Sequence, residues 1–382
     1  MPNALEDGLL SDDARAAARQ RYASTPAGRE RPGRYWKIDL DAIELDLSTL
    51  AADGGSVRIE NSNARAIVCD LRTAAAEHGA LLARVFGRTG AAETKFGALT
   101  TAFAGLGAFV YVPADAACDD PIDVTYDIPA GASVFPYTVV LAERGARVTV
   151  VERFTGGDGA FVCGAAEIVA EESGHVTFAS IQQLAEDARI FTTRTSLPGK
   201  DATVAWATAD VGSNLSAGEL TVSIEHPGAH AEIVTLFFPR GSQHVDIVST
   251  VEHRVGNSTS ETVVKSAATD RGQARYLGNI RIAANAQGSD ASLRDDALLL
   301  SKNAHIDSVP ALEIAANDVK AFHGATVGAL DQNSIFYIES RGIPRNEAER
   351  MIALAFFEPA LDRFPTSKLR EDLRIALAAK LQ

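Results

Sequence analysis

Eight histidines and three cysteines hold most of the metal-binding and nucleophilic capacity of this 382-residue chain, and they are dispersed. Cys69, Cys118 and Cys163 lie far apart with no CxxC pair, which excludes a zinc ribbon or a thioredoxin-type centre. They read as small buried residues. His226 and His230 are four apart, but Pro227-Gly228 between them prevents a shared helical face, so a turn is the better reading. Gly157-Asp158-Gly159 lacks the third glycine of a dinucleotide-binding loop and also reads as a turn. Gly199-Lys200 is followed by Asp201 and has no glycine five residues earlier, so it is not a phosphate-binding loop. HExxH, GxSxG and EF-hand patterns are missing. Only His323 has a distinctive setting, Asp318-Val319-Lys320-Ala321-Phe322-His323-Gly324-Ala325-Thr326-Val327-Gly328. Glycines bracketing small and β-branched residues suggest a tight strand or turn with close backbone approach. A neutral imidazole there suits iron or zinc. On residue type alone, a histidine bonded to a turn carbonyl is the commoner outcome.

The balance of 36 basic against 50 acidic residues gives a net charge of −14, with no dense Lys/Arg cluster. That field disfavours nucleic acid and anionic membranes as partners. Hydrophobic residues at 46% and charged residues at 23% are those of a folded chain. A sparse, odd cysteine count and an acidic start from Met1 to Asp13 without an apolar core point to a cytoplasmic protein. Phe96–Ala114 is uncharged and long enough to span a bilayer, but Gly97, Gly105, Gly107 and Pro113 interrupt it. A helix end, a glycine turn and a buried strand are expected there.

The elements that must position these groups fall into three regions. The first hundred residues read as mostly helical. One helix is capped by Asp12 or Asp13, a loop covers Thr25 to Gly33, and a second helix runs from about Cys69 to Phe86. From Gly107 to about Ile314 short β-type runs follow one another, such as Tyr137–Leu141, Val148–Val151 and Glu232–Phe237. Turn residues separate them at intervals of roughly ten residues. No long helical pattern interrupts the series, which favours a solenoid, although no repeat consensus recurs and a large sandwich or two barrels also fit the pattern. After Ser340 helices return, with Pro344 at a start, Pro359 expected to bend or end the first helix, and a second helix over about Lys368–Lys380.

His323 to Gly328, with Asp331, Phe336-Tyr337 and Ser340-Arg341-Gly342-Ile343, closely resembles the C-terminal signature HGATVG-x-x-D…FYL-x-SRGI of the SufB/SufD family. Leu298-Leu299-Leu300-Ser301, Asp307-Ser308, Pro310 and Leu312-Glu313-Ile314 resemble its LLLS…D-S/T-x-P-x-LEI run. Val251-Glu252-His253 with Ser260, and Lys95-Phe96 with Val110-Tyr111-Val112-Pro113, resemble further family segments. Five departures stand out: Ala321 where the family often has Cys, Gly256 for Pro, Leu293 and Ala297 for Gln and Asn, and Thr100 for Asn.

The resemblance implies a mainly β protein: a right-handed parallel β-helix core flanked by N- and C-terminal helical segments. The expected regions are 1–104 (mainly helical), 105–330 (β-helix) and 331–382 (helical). It implies a non-catalytic scaffold in iron–sulfur cluster assembly, pairing with a SufB-like protein and binding a SufC-like ABC ATPase, with a homodimer expected when the chain is isolated. The chain's length and its lack of SufB-type cysteines fit the SufD branch better. A SufB-like homodimeric or degenerate paralogue is the alternative within the family; a non-SUF β-solenoid interaction protein and a carbohydrate-active β-helix enzyme are the alternatives outside it. No tightly bound cofactor is implied, only a transient iron–sulfur cluster or iron at the partner interface. His323 is then the expected iron ligand, with Asp331 or Glu313 holding its other ring nitrogen. Met351, Leu354, Phe356 and Phe357 are the expected ATPase-docking residues. The last rungs, Ile314 to Val327, are the expected pairing surface, because open solenoid ends need covering.

Overall fold

In this computed structural model the described residues are 9–26, 35, 37–40, 43 and 54–381. The acidic start over residues 1–8 and most of the expected loop, residues 27–33, lie outside them.

The strands from Leu106 to Ala329 coil into two stacked sheets, of nine and ten strands with their flanking additions, as a β-solenoid of about eight turns. Consecutive strands alternate between the sheets, so a strand inside the coil pairs in parallel with the previous and next strands of its own sheet. Arg189–Pro198, for example, lies between Phe161–Ala170 and Leu215–Ile224. Successive rungs are bonded at 27 to 31 residues' separation, as where Thr208 Oγ1 donates to Thr235 Oγ1, Gly159 N donates to Asp187 Oδ1 and Lys265 Nζ to Asp296 Oδ2.

One corner of the coil explains why this period leaves no consensus string. Asp115, Gly145, Ser173, Asp201, Gly228, Asn257 and Gly288 form a column, and all have positive φ. Their N–H groups donate to carbonyls of the next rung, for instance Ser173 N to Lys200 O at 2.8 Å and Asn257 N to Gln287 O at 2.9 Å. The corner requires a left-handed backbone, and Gly, Asn, Asp and, less readily, Ser can each supply it. The repeat is therefore one of conformation rather than of residue identity.

The interior is apolar and aromatic, with Phe178 against Trp206 at 4.9 Å and Tyr126 against Phe154 at 5.3 Å. Helices cover both outer faces. Lys95–Phe103 lies across the ten-stranded sheet, where Phe96 stacks on Phe191 at 3.8 Å. Arg345–Leu361 and Ser367–Ala379 lie against the nine-stranded sheet through Phe357, Leu369 and Leu373. Strands covered on both faces become nearly continuous apolar runs, which is how Pro136–Ala142 and Phe161–Ala170 read, the second interrupted by the buried Glu167.

The N-terminal region corrects two expectations. Besides its helices it contains two short strands, Ser56–Glu60 and Ile67–Asp70, which pair antiparallel with Ile122–Ile128 and Leu106–Val112. Cys69 therefore lies in a strand, and the second helix is Leu71–Leu82, capped by Asp70 accepting from Arg72 N and Thr73 N. The first helix, Asp12–Ser24, is capped by Ser11 rather than by Asp12 or Asp13, which occupy its first turn and favour the positive end of its dipole. Phe96–Ala114 resolves as expected into a helix end and the strand Leu106–Val112. No helix among the described residues is long and apolar enough to cross a membrane.

Candidate functional site

The two ends of the solenoid are built differently. At the N-terminal end each sheet finishes in a short antiparallel strand of four or five residues, and the sequences Ser56-Val-Arg-Ile-Glu60 and Ile67-Val-Cys-Asp70 place charges on those edges. At the other end His305–Ile314 and Val319–Ala329 close the two sheets, and each pairs on one side only. These are full-length edges carrying Ile314, Phe322 and Val327, which are 41%, 51% and 45% exposed. Long edges with exposed apolar side chains invite pairing, even with Glu313 and Lys320 among them, whereas short charged ones resist it.

Register identifies what faces the interior of this open mouth. Ala321, His323, Ala325 and Val327 lie opposite Ala291, Leu293, Asp295 and Ala297 of the strand beneath, all of which are buried. His323 thus points toward the mouth, while Phe322, between them in sequence, faces the outer groove with Lys265 and Arg294. His323 Nδ1 is buried and has no hydrogen-bond partner among the described residues. The expected holders are engaged elsewhere. Asp331 caps the helix Gln332–Glu339, accepting from Asn333 N and Ser334 N, and Glu313 pairs with Arg281 at 3.2 Å.

Asp295 is fully buried on the same inward face. Its Oδ2 accepts from Ser308 Oγ, which reaches across from the opposite sheet, and its Oδ1 has no partner. Burial pushes this carboxyl up to about 7; the Ser308 hydrogen bond opposes that rise, and neighbouring Asp296 adds to it. Neither Asp295 nor Ser308 was singled out for chemistry from sequence. The available signal was an acid at an inward position of the alternating run Ala291, Leu293, Asp295, Ala297.

Beside the mouth, the helix Gln332–Glu339 presents Phe336 and Tyr337, both exposed. Arg341 lies over the Tyr337 ring at 5.0 Å and donates to its hydroxyl at 2.9 Å. This arrangement gives a local role to the arginine of the Ser-Arg-Gly string.

The C-terminal helices divide the expected docking residues. Phe357 is fully buried, with its ring 5.9 Å from that of Phe238, so it fastens the helix to the sheet and offers no surface. Including it among the docking residues is corrected on that ground. Leu354 and Phe356 are half-buried, and Lys265 Nζ lies 4.6 Å above the Phe356 ring. Met351 is exposed, as is Ile375 on the following helix. Pro359 sits in the last turn of a helix that ends at Leu361, as its ring dictates.

Other singled-out groups have structural explanations. His226-Pro227-Gly228 and Gly157-Asp158-Gly159 are turns. Burial pushes the Cys163 thiol up to about 12 and that of Cys69 up to about 11, and it also raises Cys118, so none is poised as a thiolate. Of the three, only Cys163 is fully buried. Among the described residues no group of three or more His, Cys, Asp or Glu side chains forms a self-sufficient metal centre.

A parallel solenoid with this signature at its open end defines a known class of protein. The family model for the SUF system FeS cluster assembly SufBD core domain matches residues 126–356, and the chain belongs to that family. It is 26% identical over 357 residues to the iron–sulfur cluster assembly protein SufD of Bacillus subtilis, covering 91% of this chain and 79% of that one. It is 28% identical over 279 residues to an iron–sulfur cluster assembly SufBD family protein of Staphylococcus saprophyticus. There the match covers 72% of this chain and only 60% of the relative's length. A Staphylococcus epidermidis family protein matches at 27% with the same coverage.

Proposed function

We propose that this chain is a SufD-like scaffold subunit of an iron–sulfur cluster assembly complex. It pairs through the open end of its solenoid with a SufB-like protein and docks a SufC-like ATPase on its C-terminal helices. The observation that carries this reading is the asymmetry of the ends: one closed by short antiparallel strands, the other leaving Ile314, Phe322 and Val327 on unpaired edges. His323, with an unpartnered ring nitrogen at that end, is the group that would touch iron or a nascent cluster as cargo. The ATPase surface is the exposed strip around Met351, flanked by the half-buried Leu354 and Phe356.

The test is to purify a tagged chain together with its neighbours and measure iron in the recovered complex. Recovery of SufB- and SufC-like proteins, with less iron or slower client maturation for His323→Ala, supports the reading. Recovery of the chain alone, or His323→Ala complexes with normal iron and client maturation, overturns the corresponding part.

A further inference from the structure

The buried carboxylates of this solenoid are, as a rule, fully bonded. Glu152 accepts from Thr138 at 2.6 Å and from Ser180 at 2.7 Å, one on each oxygen. Glu167 accepts from Gly87 N, Thr89 and Tyr137. Asp246 holds Arg275 with both oxygens. Asp295 departs from the rule, because one oxygen is fixed by Ser308 and the other is buried without a partner. A buried polar atom with no partner is costly, by about 1–3 kcal/mol, and calls for an explanation.

His323 Nδ1, on the adjacent final strand, is also buried without a partner among the described residues; Ser266 Oγ, a further such atom, lies on the strand beneath Asp295 and opposite Ala297. His323 lies opposite Leu293 and Asp295 lies opposite Ala325, so the two are diagonal neighbours on adjacent strands of one sheet face. Diagonal neighbours are about 7–8 Å apart, within reach of long side chains. An imidazole and a carboxylate over that span can share one ion at the usual bond lengths of about 2 Å.

We propose that Asp295 and His323 form this chain's own half-site for a divalent first-row cation such as iron(II), with Ser308 orienting the carboxylate. The proposal rests on the reading of His323 given above and adds a second ligand to it. One nitrogen and one oxygen suit iron(II), cobalt(II) and zinc. Two ligands leave most coordination positions open, so the cation is held loosely until groups across the mouth complete the shell. Ser308 acts as an outer-shell partner that sets the direction of the free oxygen. A half-site of this kind gives Asp295 Oδ1 a partner without any change in the strands around it.

Cobalt(II), added anaerobically to the full chain near neutral pH, is the probe, read by visible absorption. The intact chain should bind one ion. Asp295→Asn and His323→Ala should each weaken binding by about tenfold or more, and the double variant should bind no better than either single one. Ser308→Ala keeps the carboxylate and should alter both affinity and spectrum. Urea midpoints identify the variants that remain folded; if Asp295→Asn does not fold, Ser308→Ala decides. Loss in His323→Ala alone, with Asp295→Asn and Ser308→Ala binding as the intact chain does, overturns the carboxylate's role and leaves the histidine reading in place. No binding by the intact chain, or no effect of any variant, overturns the half-site, and the client-maturation assay then judges His323 independently.

Discussion

His253 Nε2 and Ser260 Oγ lie 2.9 Å apart across a corner of the solenoid, and Ser258 Oγ holds the other ring nitrogen at 2.8 Å. The ring is buried. Two members of one recognisable string, Val251-Glu252-His253 and Ser260, therefore serve to pin a corner. A neutral ring matches this setting, donating from one nitrogen and accepting at the other.

Burial lowers the His253 pKa to about 4. The folded chain therefore binds fewer protons than the unfolded chain between the ordinary histidine value and about 4. Stability is fully present above the ordinary value and is lost as pH falls through that window. Between about pH 7 and about pH 5 this histidine alone should remove about 2 kcal/mol. Urea unfolding at both pH values should show a smaller pH dependence in His253→Gln than in the unchanged chain. An identical dependence would assign the effect to other groups, of which His244, also lowered to about 4 by burial, is the first to check.

Phe357 and Met351 share a helix but have opposite environments. Phe357→Ala should cost about 3–5 kcal/mol, because it opens a cavity against Phe238. Met351→Glu should leave the urea midpoint almost unchanged and weaken SufC-like ATPase binding in a pull-down or titration. Point substitution is the cleaner test here, since removing both helices would bare Phe238 and the rest of that sheet face. Normal ATPase binding by a folded Met351→Glu chain would move the docking surface elsewhere.

Phe322 projects from the last strand and is half exposed, so a charge there costs the isolated chain little. Phe322→Glu should keep the circular dichroism and melting of the unchanged chain while reducing association with a SufB-like partner, or self-association, in light scattering. Unchanged association would exclude this edge as the contact.

The left-handed corner column gives a contrast within one structural role. Gly288 has a φ of 72°, and a Cβ there would come 2.7 Å from Asn257 Oδ1. Gly288→Val should destabilise by about 1–3 kcal/mol, whereas Asn257→Gly, at an equally left-handed position, should be far milder. Denaturant midpoints for the pair test this directly.

The sequence made the strand-rich core and the flanking helices readable, because apolar runs and turn residues alternate without a long helical pattern; the pattern favoured a solenoid over a sandwich or two barrels, and the parallel β-helix itself came from the family resemblance. The rung length was hidden, since Ser173, Asp201, Gly228 and Asn257 solve the same corner with different side chains. Ser56–Glu60 and Ile67–Asp70 were missed because four or five residues are too few for a period to show. His323 stood out by its glycine-flanked string, and its inward direction follows only from the register with Leu293. Phe357 could not be separated from Phe356 without knowing which side of the helix meets Phe238. Asp295 lay unremarked next to Asp296, although only Asp295 faces inward; Asp296 pairs with Lys265 at 2.8 Å.

The antiparallel strands at the solenoid's start also limit how far assembly can grow. Coiled rungs stacked end to end could in principle extend into a fibre, each copy templating the next. Here the starting edges run the wrong way, are short and carry Arg58, Glu60 and Asp70, so they make a poor seat for another copy's final rung. In the pairing proposed above, end-to-end contact falls to the final rungs, and a body with one adhesive end is spent once that end is covered. Such a pairing would stop at two, a closed pair rather than an open chain.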